Sequence, residues 1–219
     1  MLLLKLLMIF QTMKKTSDPE KYSHKIGIMG GAFDPIHYGH LLLAVEALDA
    51  LSLTEVLFIP TGTSPHKTVT RGATAEQRFE MTQMAIQNIP EFKISRIEID
   101  RKGQSRTIDT LIELREQRGD DAAFYLLLGM DSLRDFPNWK DPVGIQERCT
   151  LVVAKRSGCS EKPEEEKTLM KPVLYLDMPR IDIASSLIRD RVQRGKRIDF
   201  FLPDEVYRYI KKNRIYLQQ

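Results

Sequence analysis

A doubly wound α/β fold on a parallel sheet is what this sequence predicts, and three observations predict it. A short apolar run, Lys25–Gly30, stops at paired glycines, passes into a helix-patterned stretch from Tyr38 to Leu51, and is followed by a second apolar run, Glu55–Pro60; that is a strand–helix–strand unit of a parallel sheet. Runs of strand length then keep alternating with helical patterns toward the C-terminus. One of them, Ala122–Gly129 (AAFYLLLG), is almost continuously apolar, as a strand covered on both faces must be. Such sheets bind ligands beyond the carboxyl ends of their strands.

The elements follow in order. Gly31–Ile36 is a loop, because Pro35 excludes Asp34 from the helical region. Leu41, Leu42, Ala44, Val45 and Leu48 fall at helical spacing in the first helix. Thr61–Ala73 is a polar loop carrying Ser64-Pro65-His66-Lys67. A helix over Thr74–Asn88 begins at a capping box, Thr74 with Gln77 three residues on. Phe92–Asp100 carries the apolar alternation of a strand through Ile94, Ile97 and Ile99, in imperfect register. Thr107–Gln117 is helical, Cys149–Ala154 a strand, Ser157–Lys171 a polar surface loop, and Val173–Leu176 the last strand. Ser185–Gly195 and Pro203–Asn213 close the chain as helices. There are five or six strands and no internal repeat.

Composition narrows the function. With 42% hydrophobic and 29% charged residues in 219, the chain is neither wholly disordered nor fibrous, and its length suits one domain. A net charge of +3, from 33 basic and 30 acidic residues, is too mild to argue for nucleic acid or an acidic membrane. Two cysteines, Cys149 and Cys159, and four histidines without a C-x-x-C pair build neither a disulfide framework nor a structural zinc site. A reducing cytoplasm is the default. Residues 1–10, MLLLKLLMIF, are too short to span a bilayer and lack the charge order of a secretory signal. Residues 1–24 therefore read as a dispensable leader or tail, with Met13 an alternative start and a membrane-surface anchor the competing reading, before a single domain over 25–219.

The chemistry concentrates in Gly30-Gly31-Ala32-Phe33-Asp34-Pro35-Ile36-His37-Tyr38-Gly39-His40. Paired glycines let backbone amides approach a phosphate closely, and the following helix aims its positive end at the same place. His37 and His40, three residues apart, share one face of the first helical turn. Imidazoles there can hydrogen-bond a phosphoryl oxygen. Out of this context H-x-x-H is a pair of polar histidines or metal ligands. The loop is neither a P-loop nor a G-x-G-x-x-G dinucleotide turn.

This stretch resembles the signature of nucleotidyltransferases with a T/H-x-G-H motif, and more closely that of bacterial nicotinate-nucleotide adenylyltransferases. The resemblance runs from Lys25 to Tyr216. It includes Ser64-Pro65-His66-Lys67, Thr107-Ile108-Asp109-Thr110-Leu111, Gly129-Met130-Asp131-Ser132-Leu133, Trp139, Ile183-Ala184-Ser185-Ser186-Leu187-Ile188-Arg189 and the closing Leu202–Ile210. It implies a Rossmann-like nucleotidyltransferase fold and adenylyl transfer from ATP to nicotinate mononucleotide, giving deamido-NAD and pyrophosphate in NAD biosynthesis. The attacking phosphate already carries negative charge, so no general base or enzyme nucleophile is required, and catalysis rests on positioning and electrostatics. Mg2+ is implied, bound mainly through ATP phosphates with no dedicated protein cage.

By matching positions, the resemblance makes His37, His40 and Arg189 the catalytic set, with His40 the stronger contributor at the α-phosphate. It assigns Gly30, Gly31, Ala32, Phe33, Gly129, Asp131, Ser185 and Ser186, together with those three, to ATP. Serines at a helix start leave amides free for an anion, and an arginine one turn on brings a forked cation; on its own the stretch is an N-cap beside a solvated arginine. Lys67, Thr107, Asp109, Trp139 and Lys140 are assigned to nicotinate mononucleotide, with the indole stacking the pyridine ring and the amides of Thr107 and Lys140 holding its carboxylate. The bland readings are a core or lid residue for Trp139, a solvated loop lysine for Lys67 and a turn residue for Asp131, and Arg78 reads as a helix-surface arginine. Amide donors favour a carboxylate over an amide, whose NH2 would leave donors facing donors.

The chain departs from the family pattern in Ala32, in place of a hydroxyl residue, in Arg106, in place of tyrosine, and in Lys140, in place of an aromatic residue. The last two either add positive charge that favours the acid or shift the substrate. Two alternatives stand beside the main reading: another nucleotidyltransferase of this fold, acting on nicotinamide mononucleotide, pantetheine phosphate or a cytidylyl acceptor, and a non-catalytic nucleotide-binding protein. The implied partners are small molecules, ATP and nicotinate mononucleotide, without nucleic acid or membrane, and a homo-oligomer is left open.

Overall fold

The computed structural model describes residues 22–63, 72–156, 166, 169–179 and 181–217. Lys67, most of the leader and most of the Ser157–Lys171 loop lie outside the described residues.

Six strands form one sheet: β1 (His24–Gly31), β2 (Glu55–Pro60), β3 (Phe92–Ile94), β4 (Ala122–Gly129), β5 (Thr150–Arg156) and β6 (Leu174–Met178). Their order is β3-β2-β1-β4-β5-β6 and every pairing is parallel. The helices that position the site are α1 (Tyr38–Leu51), α2 (Ala75–Ile86), α3 (Ile97–Asp100), α4 (Thr107–Arg118), α5 (Met130–Asp135), α6 (Pro142–Arg148), α7 (Ser185–Gln193) and α8 (Asp204–Lys212). No helix among the described residues is long and apolar enough to cross a membrane.

Strand alternation makes two cores, one per face. Met29, Leu127 and Val152 pack with Ala44 and Ala47 of α1, Met81 of α2, Ile188 of α7 and Val206 of α8. Their chain neighbours Ile28, Leu126, Leu128, Leu151 and Val153 pack with Leu111 and Leu114 of α4, Leu133 of α5 and Ile145 of α6. Side chains of consecutive strand residues point to opposite faces, so the near-unbroken apolar runs of β1, β4 and β5 feed both layers. Each fully buried aliphatic side chain contributes roughly 1.5–3 kcal/mol.

Sheet order reverses between β1 and β4, and there the strands part. β1 stays paired with β2 out to Gly31–Pro60 and β4 with β5 out to Gly129–Ala154, but β1 and β4 pair only as far as Ile28–Leu126. Their carboxyl ends thus diverge into a crevice at the topological switch point, the place where open α/β sheets receive ligands.

One expected element is corrected. The strand over Phe92–Asp100 is only Phe92–Ile94; Ser95 then turns the chain, its Oγ accepting from Ile97 N at 3.2 Å, and Ile97–Asp100 is α3. β3 is an edge strand with β2 as its sole partner, and the three-residue step from Ile94 to Ile97 is helical rather than extended spacing. The turn buries Glu98, which a continued edge strand would not. The stretch after β4 also holds short helices that the sequence reading left unassigned. Of these, α6 starts with Asp141 accepting from Gly144 N at 2.9 Å and Pro142 in its first turn.

Candidate active site

The β1–α1 loop is built around buried groups. Gly30 is exposed at the end of β1, and none of the described residues comes within 4 Å of where a Cβ would stand. Phe33 adopts a left-handed φ of 49° and is 2% exposed, its ring edge-on to His40 at 5.1 Å and tilted against Phe58 at 6.0 Å. The ring of Phe33, expected at ATP, is therefore packed into the protein. Gly31 and Ala32 precede it, and the Ala32 carbonyl accepts from Arg78 Nη1 at 2.7 Å.

His37 caps α1 in extended conformation, and its amide donates to His40 Nδ1 at 3.3 Å. An accepting Nδ1 puts the hydrogen of neutral His40 on Nε2. The two rings stack at 3.7 Å with 26° between planes. A Cβ on Gly39 would stand 3.1 Å from the His37 ring and 3.7 Å from the Ile183 carbonyl, so ring and chain close down on that glycine. Burial lowers the His37 pKa to about 4. Burial, and then the neighbouring His37, holds His40 well below its ordinary value. Both rings are neutral at pH 7 and act as hydrogen-bonding groups rather than as standing charges.

The start of α7 is fastened to this loop. Ser185 Oγ donates to the Pro35 carbonyl at 2.8 Å, and Arg189 Nη1 donates to the Asp34 carbonyl at 2.6 Å and lies 3.8 Å from Asp34 Oδ2. The first intrahelical bond runs from Ile188 N to the Ala184 carbonyl at 3.2 Å, so the amides of Ser185, Ser186 and Leu187 precede it, without intrahelical partners, as groups that could donate to an anion. Ser186 is exposed and Arg189 partly buried. The N-cap is Ala184, so both serines sit inside the helix and the Ser185 hydroxyl serves as a bolt to the loop.

At the end of β4, Gly129 is exposed with open space over its Cα and caps α5. The Asp131 carboxylate is open to solvent and pairs with Arg134 at 3.1 Å.

Across from these groups, Thr107 opens α4. The first bond of that helix, Thr110 N to the Arg106 carbonyl at 3.1 Å, leaves the amides of Thr107, Ile108 and Asp109 ahead of it. Asp109 reaches the 136–140 loop through a 3.4 Å ion pair with Lys140 Nζ. Trp139 is half-buried, with its ring 5.4 Å from Phe136 and its Nε1 donating to Asp135 Oδ2 at 3.2 Å. Thr107, Asp109, Trp139 and Lys140 thus belong to one wall, and the loops of His37, His40, Ser185 and Arg189 to the other.

Four further residues hold this arrangement, none of them marked as such by the local sequence. Arg78 is buried rather than on the helix surface, and donates to the carbonyls of Ala32 at 2.7 Å, Thr61 at 2.5 Å and Gly62 at 3.1 Å. Asp34 accepts from Ala73 N at 2.9 Å and Tyr216 Oη at 2.7 Å. Ser105 Oγ accepts from Gly62 N at 3.0 Å, and Glu98 Oε1 accepts from Thr110 Oγ1 at 2.7 Å. A buried Asp in the loop motif was the one available signal; the others depend on partners distant in sequence.

Comparison with known proteins gives consistent results. The model of the cytidylyltransferase-like family matches residues 28–191. The chain is 40% identical over 198 residues to the probable nicotinate-nucleotide adenylyltransferase of Dictyoglomus turgidum, covering 89% of this chain and 97% of that one. It is 41% identical over 193 residues to the protein of the same name in Geobacillus thermodenitrificans, covering 88% and 86%. Among solved structures it is similar to the Plasmodium falciparum nicotinic acid mononucleotide adenylyltransferase complexed with NaAD, with a TM-score of 0.74 at 20% identity over 88% of this chain and 97% of that one; at that identity the likeness speaks for the fold.

Proposed function

The chain belongs to the nicotinate-nucleotide adenylyltransferases within the cytidylyltransferase-like family, and from that premise we propose that it transfers the adenylyl group of ATP to nicotinate mononucleotide, giving deamido-NAD and pyrophosphate. The observation that carries this reading at the site is the fastening of α7 to the β1–α1 loop, Ser185 to Pro35 and Arg189 to Asp34. Those bonds bring two imidazoles, a guanidinium and the free amides of a helix start to one mouth of the crevice.

In this reading a phosphate oxygen of the mononucleotide attacks the α-phosphorus of ATP. The new P–O bond forms as the bond to the β-phosphate oxygen breaks, and the electron pair leaves with pyrophosphate. His40, neutral with its hydrogen on Nε2, donates to an α-phosphate oxygen as charge gathers there. A neutral donor held by stacking on His37 costs little reorganisation, and an approaching anion draws both rings toward the protonated form. The α7 amides and Arg189 take the β- and γ-phosphates. Gly30, Gly31, Ala32, the Phe33 backbone, Gly129, Asp131 and Ser186 complete the ATP side. Trp139, Lys140, Thr107, Asp109 and Lys67 form the pyridine-nucleotide side.

Magnesium is part of the proposal as a companion of the triphosphate. Among the described residues no group of three or more His, Cys, Asp or Glu stands together as a cage, and the Asp34 carboxylate is committed to Tyr216 and Ala73. In this reading the ligands of the ion are phosphate oxygens and water; no step is assigned to it.

The decisive test is pyrophosphate release from ATP with nicotinate mononucleotide, nicotinamide mononucleotide and pantetheine phosphate offered in turn. A clear preference for the nicotinate acceptor is expected; preference for the amide, or no release with any acceptor, overturns the reading. Residues 25–219 are the catalytic domain in this proposal, working in the cytoplasm. Deletion of residues 1–12 is expected to leave release unchanged, and loss of soluble activity would make the leader structural.

A further inference from the structure

Glu98 is a buried carboxyl group that the reaction described above does not use. It lies 7% exposed on the four-residue helix α3, beside the crevice wall formed by α4. Its Oε1 accepts from Thr110 Oγ1 at 2.7 Å, and the Ser105 hydroxyl is a second side-chain partner. These two residues flank the start of α4, whose first amides belong to Thr107, Ile108 and Asp109. Thr110 Oγ1 is also bonded by Arg101 Nη1 at 3.1 Å, and Arg101 Nε pairs with Glu113 at 2.6 Å, so the helix is gripped on its first two turns.

The grip continues toward the opposite wall. Ser105 Oγ accepts from Gly62 N at 3.0 Å, and Ser105 N donates to the Thr63 carbonyl at 2.9 Å. A Cβ on Gly62 would lie 2.1 Å from the Glu98 carbonyl oxygen, so α3 rests directly on that glycine's backbone. The Gly62 carbonyl in turn accepts from Arg78, whose other bonds reach Thr61 just after β2 and Ala32 in the β1–α1 loop. A continuous run of hydrogen bonds, Ala32–Arg78–Gly62–Ser105–Glu98–Thr110, therefore joins the loop carrying the histidines to the start of α4.

A carboxylate is kept in such a place only when its hydrogen bonds are specific, because burial disfavours its charge. Here burial raises the Glu98 pKa, while the hydroxyls of Thr110 and Ser105 and the charge of Arg101 counter it. A well-packed apolar side chain would stabilise the same space without fixing direction. We propose that Glu98 is a positioning residue: through Thr110 and Ser105 it sets the start of α4 relative to the β1–α1 loop, and so sets how the acceptor nucleotide is held while ATP binding is left to bonds made elsewhere. The inference rests on the adenylyltransferase reading for the identity of the acceptor.

The donor wall has fasteners that do not pass through Glu98, namely Ser185 to Pro35, Arg189 to Asp34, and Arg78 to Ala32. Loss of the carboxyl should therefore divide the two substrates. In steady-state pyrophosphate release, Glu98→Ala is expected to raise KM for nicotinate mononucleotide roughly tenfold or more, with KM for ATP changed by less than about twofold. Glu98→Gln, which keeps an acceptor for Thr110, is expected to recover most of that loss. Should Glu98→Ala fail to fold, Thr110→Val removes the hydroxyl at constant shape and is expected to raise the acceptor KM alone. Equal shifts in both KM values, or no shift in the acceptor KM for any of these variants, overturn the proposal. A wild-type enzyme that turns over another acceptor instead refutes the parent reading, and the same split measured with that acceptor still decides the role of Glu98.

Discussion

Replacing Arg78 by Met keeps the length and most of the volume of a side chain and removes its guanidinium. Three carbonyls, Ala32, Thr61 and Gly62, then lose a charged donor that stands 2.7, 2.5 and 3.1 Å away. Hydrogen bonds to charged groups contribute about 1.5–3 kcal/mol each, which would sum to several kcal/mol. Against that, the variant no longer buries a cation, whose desolvation lowers the Arg78 pKa in the folded protein. The expected net cost is about 3–5 kcal/mol, the range found when one partner of a buried charged contact is removed. For a chain of 219 residues each kcal/mol moves Tm by roughly 2–4 °C, so Tm should fall by roughly 6–20 °C in a calorimetric scan. The midpoint in urea should fall with an unchanged m-value. A loss below about 1 kcal/mol would mean that Arg78 is solvated and that the loop carrying His37 and His40 is held by something else.

Three further outcomes are expected. His40→Ala should lower kcat roughly 100-fold or more with a smaller change in ATP affinity, since it deletes a donor aimed at developing charge; unchanged kcat in the release assay would remove His40 from the reaction. Trp139→Ala should raise KM for the mononucleotide and leave KM for ATP alone, whereas a fall in Tm without that split would make the indole a packing residue. Because His37 titrates near 4 when folded and near 6.5 when unfolded, the unfolded chain binds the extra proton between those values. Stability is full above about pH 6.5 and declines as pH falls toward 4, by up to about 1.4 kcal/mol per pH unit. The difference between wild-type and His37→Gln Tm values, followed from pH 7 to 4, should reveal this slope, and parallel curves would contradict it.

Local pattern made part of this molecule legible. The β1–α1–β2 unit follows from two apolar runs around a helix-spaced one, and Thr74 and Gln77 do form the reciprocal cap that their spacing predicts, at 3.2 and 2.9 Å. The glycine-rich loop and the start of α7 carry their own signals, and the bonds between them, Ser185 to Pro35 and Arg189 to Asp34, are the kind that a motif implies but cannot display. What stayed hidden depends on distance along the chain. Arg78 takes its meaning from carbonyls 46 and 17 residues away, and nothing in its own helix separates it from a surface arginine. Ile97 and Ile99 alternate as a strand's residues would but out of register with Phe92 and Ile94, and the chain there forms α3, with Glu98 buried against Thr110. Phe33 sits in the glycine-rich motif expected at ATP, but its ring is drawn into the core beside Phe58.

The parting of β1 and β4 beyond Ile28 and Leu126 has a consequence for how such an enzyme can change. Its hollow is made by the paths of two main chains, not by small side chains clearing a space. In the proposed reading, remodelling the turn bearing Trp139 would alter which acceptor fits while leaving in place the bonds of Ser185 and Arg189 to the β1–α1 loop. Under the proposed assignment, specificity and chemistry occupy different parts of one scaffold, and engineering toward new acceptors belongs on the Thr107–Asp109 and Trp139–Lys140 rim.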